Sequence, residues 1–303
     1  MRKEPTRHHY IPQFILRNFA CDDDRNLVYF CDKESCKISK CDTRELFMER
    51  NLYRDEINNA DNPTKIEKDL AVFENEVSRI IKDKFLSGRE IILTLQEDQK
   101  LKLFFAIMGF RSKETNHKFG DKISRESKVF YKQYQQDGDY IDLWKRNLGY
   151  VVNCRSIEEV LKHPHIDDPF KVFFRRDTVG IFGMYIVVVE AKENDGFIIG
   201  DTYPVVISGS TDSGLQLHLY SIHPISHNRT ILLADVGAEA APRYVTNFRE
   251  CILRQPIIDN VSGTIKIRVK GLYPEEVQYL NREVAKNSNE GFAFRKEPIN
   301  LLK

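Results

Sequence analysis

Two adjacent histidines, His8 and His9, stand ahead of a proline and an apolar run in TRHHYIPQFILRNF, Thr6 to Phe19. A neutral imidazole can act there as general base, metal ligand or proton shuttle. Neighbours in extended chain point to opposite sides, so one histidine faces any given pocket while the other packs or meets solvent. Further along, Asp201 could orient an imidazole or hold a divalent cation. Arg17 and Arg111 could neutralise a phosphate or a developing oxyanion through bidentate contacts. His8, His9, Asp201, Arg17 and Arg111 thus make a catalytic set suited to phosphodiester hydrolysis, with or without a divalent metal. Ser226 in HPISHN offers a hydroxyl toward substrate, and Tyr10 an aromatic face.

Each of these residues also has a structural use. The two histidines could satisfy buried backbone groups at a packed terminus. Asp201, followed by a threonine and a nearby proline, is a turn-former that bonds its own backbone. Glu67 and Glu74 are two helical turns apart and could share one cleft. Alternatively, Glu67 caps a helix and Glu74 is solvated or paired with an arginine.

The rest of the chain narrows the chemistry. Its 303 residues are 41% hydrophobic and 30% charged, which fits a globular protein with a sizeable core. A formal charge of +1 means that a polyanion would have to meet a local basic patch. One candidate is the N-terminus, where Arg2, Lys3, Arg7 and Arg17 against Glu4 give about +3, with Tyr10 and Phe14 interleaved. A nucleic acid or nucleotide is therefore the partner class to expect. No apolar run approaches the ~20 residues that span a bilayer, and the opening MRKEPTRHHY lacks a secretory apolar stretch, so the expectation is a cytoplasmic protein without a membrane partner. Cys31, Cys36 and Cys41 are evenly spaced but lack the second ligand pair of a zinc site, so reduced thiols on a hairpin are expected. Neither GxGxxG nor GxxxxGK[ST] occurs, and no glycine elbow surrounds Ser226. The HPH of His163 to His165 reads as a solvated turn.

The elements that must position these residues follow from pattern. Pro12 fixes its own φ and begins a short helix to Phe19, leaving the histidines just before its positive end. Leu27 to Phe30 and Lys37 to Cys41 make a hairpin turning near Lys33 to Ser35. TKIE, with Thr64 and Glu67, has capping-box spacing ahead of a helix whose buried face is Ile66, Leu70, Phe73, Val77, Ile80 and Ile81. TLQE, with Thr94 and Glu97, repeats the device before a second helix ending at Phe110 and Arg111. The polar stretch 113–145 is expected to continue helical. GMYIVVVEA and GFIIGDTYPVVIS, joined by KEND, read as a hairpin. LQLHLYSIHPIS, RTILLADV and TIKIRV add strands. Pro242 opens a helix to Arg254, and PEEVQYLNREVAKN is a last helix that ends the fold.

HHYIPQFILRNF resembles the opening signature of the domain-of-unknown-function family 4238, a His-Tyr-x-Pro core with a Leu-Arg/Lys-x-Phe tail. Further matches keep the family's order. They are the Asn-x-Tyr of RNLYRDE, the helix IEKDLAVFENEVSRII with Glu67 and Glu74, and a second helix ending at Arg111. FIIGDTYPVVI follows with Asp201, Pro204 and Val205, then the Pro-x-Ser of HPISHNRTILL, and then Asn247 in a C-terminal helix. At Asp201 two residues, not the commoner one, precede the proline. The resemblance adds Asn247 to the substrate-binding candidates and supplies positions without a reaction.

The fold class that results is α+β. A short N-terminal helix and β-hairpin lead to central helices and a β-rich C-terminal half with one or two packed helices. The whole chain, 1–303, reads as one family-like domain, with a subdivision open between a mainly helical 1–165 and a mainly β 166–303. Two functions stay open: a nuclease-like phosphoester hydrolase using an N-terminal histidine and Asp201, or a non-catalytic binding or regulatory module in which the same residues are structural.

Overall fold

The tandem histidines lie on a strand. The structure, a computed structural model, describes residues 6–113, 115–116, 142–166, 171, 184–192, 196–210, 216–235 and 255–296. In chain order its elements begin with β1 (Arg7–His9), α1 (Gln13–Leu16) continued by a 3-10 turn (Arg17–Phe19), β2 (Leu27–Asp32), β3 (Ile38–Asp42) and β4 (Met48–Arg50). Next come α2 (Lys65–Ile80), a π turn (Ile81–Phe85), β5 (Glu90–Thr94), α3 (Leu95–Phe110), α4 (Leu143–Val151) and α5 (Ile157–Lys162). The remainder is β6 (Tyr185–Ala191), β7 (Ile199–Gly200), β8 (Val205–Ser210), β9 (Gln216–Pro224), β10 (Arg229–Ala234), β11 (Ile257–Asp259), β12 (Thr264–Arg268), β13 (Lys270–Leu272), α6 (Pro274–Asn287) and β14 (Gly291–Phe294). This is the α+β protein expected, with a short N-terminal helix and hairpin and a strand-rich C-terminal half carrying a helix. The expected helix from Pro242 to Arg254, Asn247 within it, most of 113–145 and most of the KEND turn lie outside the described residues.

The chain forms two compact units. The first comprises Met1–Tyr10, Phe47–Val77 and Gln99–Val179. In it β1 and β4 form an antiparallel ribbon, with Arg7 opposite Arg50, His8 opposite Glu49 and His9 opposite Met48. α2 buries Ile66, Leu70, Phe73 and Val77 of the expected stripe; Ile80 is half-buried and Ile81 is buried in the π turn that follows. The second half of α3 is apolar on every side, and Leu101, Leu103, Phe104, Phe105, Ile107, Met108 and Phe110 are all buried. Phe73 of α2 meets Phe104 of α3 at 6.3 Å between ring centroids. Asp142 caps α4 by accepting from the Lys145 N–H, and the Trp144 indole donates to the Phe110 carbonyl at 2.8 Å. That bond satisfies one of the carbonyls that the end of α3 leaves open.

The second unit comprises Ile11–Leu46, Ser78–Asp98 and Gly180–Lys303. Among its described residues one sheet runs β13-β6-β10-β9-β8, a second β3-β2-β14-β7 and a third β11-β12-β5. The hairpin expected from GMYIVVVEA and GFIIGDTYPVVIS is not formed. β6 pairs with β10 and β13, while the second run divides into β7, paired with β14, and β8, paired with β9. β-branched runs report that strands exist; the bend at Asp201 to Pro204 sends the two pieces to different sheets. Nor does the fold end at α6. The chain returns as β14, between β2 and β7. The run GFAF is buried throughout and too short to show a period. Gly291 permits it, since a Cβ there would stand 2.2 Å from the Cys31 carbonyl oxygen.

Candidate functional site

In the first unit, alternation along β1 buries His8 completely and leaves His9 half-exposed. The His8 ring stacks on Tyr53, 5.5 Å between centroids and 4° from parallel. Its Nδ1 accepts the Tyr53 backbone N–H at 2.8 Å. A backbone N–H can only donate, so Nδ1 carries the lone pair and the proton of the neutral ring sits on Nε2. His8 is thereby set as a donor at Nε2.

Arg111, just past the end of α3, is 2% exposed. Its Nε donates to the Tyr53 hydroxyl at 3.1 Å, its Nη1 to Glu74 Oε1, and its Nη2 to the His9 carbonyl at 2.5 Å. The Tyr53 hydroxyl in turn donates to the Arg111 carbonyl at 2.9 Å. Burial opposes the arginine's charge, but Tyr53 and Glu74 outweigh it and hold Arg111 ionised. Burial pushes the Tyr53 phenol up to about 12. The guanidinium therefore ties three segments of the unit together: β1, the Tyr53 loop and α2.

Glu67 lies in the first turn of α2 but turns away from the helix start. It makes no hydrogen bond with Thr64; its Oε2 is buried without a partner among the described residues. Burial pushes its carboxyl up to about 7, with Arg111 pulling it down and Glu74 adding to the rise. The capping box expected at TKIE is thus absent and Glu67 belongs to the Arg111 cluster, whereas TLQE forms its box as expected. There the Thr94 N–H donates to Glu97 Oε2 at 2.8 Å and the Glu97 N–H to Thr94 Oγ1 at 3.2 Å. Glu49, opposite His8, has a second buried and unpartnered carboxylate oxygen. Glu49 and Tyr53 were not singled out as site residues by sequence. The signal that could have found Tyr53 is the Asn-x-Tyr element, of which it is the tyrosine; the seven-residue spacing of Glu67 and Glu74 marked those two.

The remaining candidates are in both units. Tyr10 is buried in the first, its ring 6.3 Å from Phe47. In the second, Arg17 is exposed on the 3-10 turn and contributes to holding Asp42 down, to about 2, behind the larger effect of Arg44. Asp201 accepts the backbone N–H groups of Asn289 and Glu290, each at 2.8 Å, and so ties the β7 end to the turn before β14. Burial raises its pKa, opposed by those two bonds. Ser226 donates to Asn228 Oδ1 at 2.7 Å and accepts the Arg229 N–H at 3.0 Å, closing the β9–β10 turn. His163 and His165 lie tilted against the Tyr150 ring, 5.2 and 5.7 Å between centroids, and the His163 Nδ1 accepts the His165 N–H at 3.3 Å. Cys21, Cys31, Cys36, Cys41 and Cys154 are free thiols. Among the described residues no three His, Cys, Asp or Glu side chains converge as a metal site, and no helix is long and apolar enough to cross a membrane.

A mixed α+β protein with a buried Tyr–Arg–Glu clamp under an N-terminal histidine strand is the class these features define. The family described as "Protein of unknown function (DUF4238)" matches residues 7–297, nearly the whole chain, and the protein belongs to that family. No curated protein and no solved structure matches it.

Proposed function

We propose that the protein is a non-catalytic binding or regulatory module in which His8, Arg111 and Asp201 hold the fold. The observation that carries this reading is Arg111: all three guanidinium nitrogens are engaged inside the protein, by Tyr53, Glu74 and the His9 carbonyl. A guanidinium so engaged has little left for a phosphate. The same holds for Asp201, whose two oxygens both accept backbone N–H groups. Free thiols, three of them buried, support a cytoplasmic setting. The test is hydrolysis of bis(p-nitrophenyl) phosphate and of labelled oligonucleotides, with and without magnesium or manganese. The wild type is expected to give no turnover; turnover that His9→Ala abolishes in a normally folded protein would replace this reading.

A nuclease-like phosphoester hydrolase is the second reading, favoured by Glu67. An unpartnered buried carboxyl that titrates near neutrality is the kind of group that supplies a proton to a reaction. In that reading Glu67 donates the proton, half-exposed His9 accepts one, and a divalent metal and a nucleic acid or nucleotide substrate would come from solution.

A further inference from the structure

We infer that the free edge of β11 is a self-association surface, where two copies of the chain pair strand to strand about a two-fold axis through Ile258. The sheet β11-β12-β5 has two outer strands, and the protein treats them differently. The Leu95 N–H donates to the Gly263 carbonyl at 3.2 Å and the Val269 N–H to the Arg89 carbonyl at 2.9 Å, in the register of the β5–β12 pairing. Bonded and non-bonded pairs alternate along an antiparallel ladder. Ile265 and Ile267 of β12 therefore bond to β5, while Thr264 and Lys266 turn to β11, where they meet Asp259 and Ile257. That leaves the backbone N–H and C=O of Ile258 pointing outward, and on β5 those of Ile92 and Thr94. On β5 the protein's own side chains take up these groups. Lys84 Nζ donates to the Ile92 carbonyl at 2.9 Å, and Glu97 Oε2 accepts the Thr94 N–H at 2.8 Å. Among the described residues none does the same for Ile258. An edge left open is a template for another strand.

The side chains agree. Leu93 and Ile265, in the row of Ile258, are buried, yet Ile258 itself is 57% exposed, so β11 overhangs the core. Ile257 is 59% exposed on the opposite face, and Val261 at the turn is 99% exposed. A second copy fits this edge in one register. Outward-facing residues must oppose outward-facing residues, so the axis passes through Ile257, Ile258 or Asp259. An axis through Asp259 sets two carboxylates face to face, which is destabilising. One through Ile257 sets Pro256 opposite Ile258, and a proline has no N–H to return. Through Ile258, the two Ile258 residues exchange both backbone bonds, and Pro256 serves only as acceptor to the Asn260 N–H of the second copy. Asp259 then lies beside Ile257 of the second copy, in the row that carries Lys266, so the charges in that row are opposite in sign. The two Ile258 side chains cover one another. A two-fold uses up the open edge of both copies, so assembly stops at two. Pairing of so short a strand falls short of the ~1,200 Å² at which standard interfaces begin, and the dimer is a weak, reversible one.

A dimer of this kind is independent of the binding-module reading. Its test is sedimentation equilibrium of the full chain from about 10 μM to about 1 mM, the range in which weak complexes form. Wild type is expected to move from monomer toward dimer across that range. Ile258→Pro removes only the outward N–H of an edge strand, and should weaken the dimer by about tenfold or more with an unchanged circular dichroism spectrum. If that variant does not fold, Ile258→Asp is used; it sets two carboxylates opposite each other, and a comparable loss is expected. Opposed residues of a bonded pair stand about 5.5 Å apart at Cα, a spacing that a disulfide spans. Ile258→Cys under oxidised glutathione should therefore link two chains through position 258, as read by peptide mapping. Ile92→Cys, exposed on β5, should not link to itself. Wild type that stays monomeric at the top of the range would overturn the inference and leave this edge to a strand of another protein. So would a dimer that Ile258→Pro leaves intact, or linkage through position 92 as fast as through position 258.

Discussion

Each unit holds a buried arginine beside a glutamate, and the two are solved differently. In the second unit Arg229, at the start of β10, donates from Nη1 to the Phe85 and Ser87 carbonyls at 2.8 and 2.9 Å, and from Nη2 to the Gly88 carbonyl. Its Nε and Nη2 reach Glu190 Oε1 at 3.0 and 2.9 Å. The guanidinium fills the acceptors at the end of the π turn, including the loop where Gly88 has a φ of +82°. One glutamate faces one arginine and nothing is left over. In the first unit Arg111 meets Tyr53, Glu74 and a carbonyl, but a second glutamate, Glu67, stands beside it without a hydrogen bond. Charge is balanced in the Arg229 clamp and in excess by one acid in the Arg111 clamp. Balance is what scaffold needs. Burial of the extra acid, with Glu74 beside it, is what leaves a titratable group near neutrality.

The largest effect that sharpens this contrast is removal of each arginine. Arg229→Ala leaves three carbonyls without their donor and Glu190 without its partner, and is expected to cost about 3–5 kcal/mol. Arg111→Ala is expected to cost about 2–4 kcal/mol, and less of it should remain when Glu67→Gln is added, because one of the stranded acids is then neutral. Urea unfolding midpoints of the singles and doubles measure both. Glu190→Gln added to Arg229→Ala should restore little, since the carbonyls remain unfilled. Equal restoration in the two clamps would remove the distinction.

Much of the fold was legible, and the reasons divide cleanly. A long amphipathic period placed α2, the T-x-x-E spacing placed the start of α3, and the proline at the first turn placed α6 at Pro274, because those signals are local to one element. Pairing was not legible. β6 and β8 read as a hairpin from neighbouring β-branched runs, yet their partners are set by β10, β13 and β9, which sequence order does not encode. β14 escaped because four apolar residues have no period. For the site, residue types pointed to His8, Arg111 and Asp201 but not to their roles. Glu67 was legible as a candidate and misread as a cap. Whether a carboxylate at the third position of a T-x-x-E turns back to the backbone or goes inward depends on what packs opposite it. That is tertiary information, here Arg111.

Neutralising the excess acid is the next test in size. The Glu67 carboxyl titrates at about 7 in the folded chain against an ordinary 4.5. Between those values the folded form holds a proton that the unfolded form has lost, so this group makes stability fall as pH rises through that window and leaves it low above about pH 7. Glu67→Gln cannot ionise. It is expected to stabilise the protein at pH 8 by roughly 1–3 kcal/mol and to be close to neutral at pH 4.5. Paired urea titrations at the two pH values report it. A variant less stable than wild type at pH 8 would mean that Glu67 is ionised and usefully paired there, as in a balanced clamp.

The smallest effect separates the two T-x-x-E sequences directly. At Thr94 the hydroxyl accepts the Glu97 N–H, so Thr94→Ala strands a helix donor and should cost about 1 kcal/mol at any pH where the fold holds. At Thr64 no side-chain bond joins the helix start to Glu67. Thr64→Val keeps the shape of that buried side chain and should stay within about 0.5 kcal/mol of wild type. The order of the two losses is the informative quantity, because Thr94 is exposed, so its truncation opens no cavity, and Thr64→Val keeps the volume of a buried side chain. If Thr64→Val cost as much as Thr94→Ala, Thr64 would be capping α2 after all. Glu67 would then be drawn to the helix start, and the excess acid beside Arg111 would lose its physical basis.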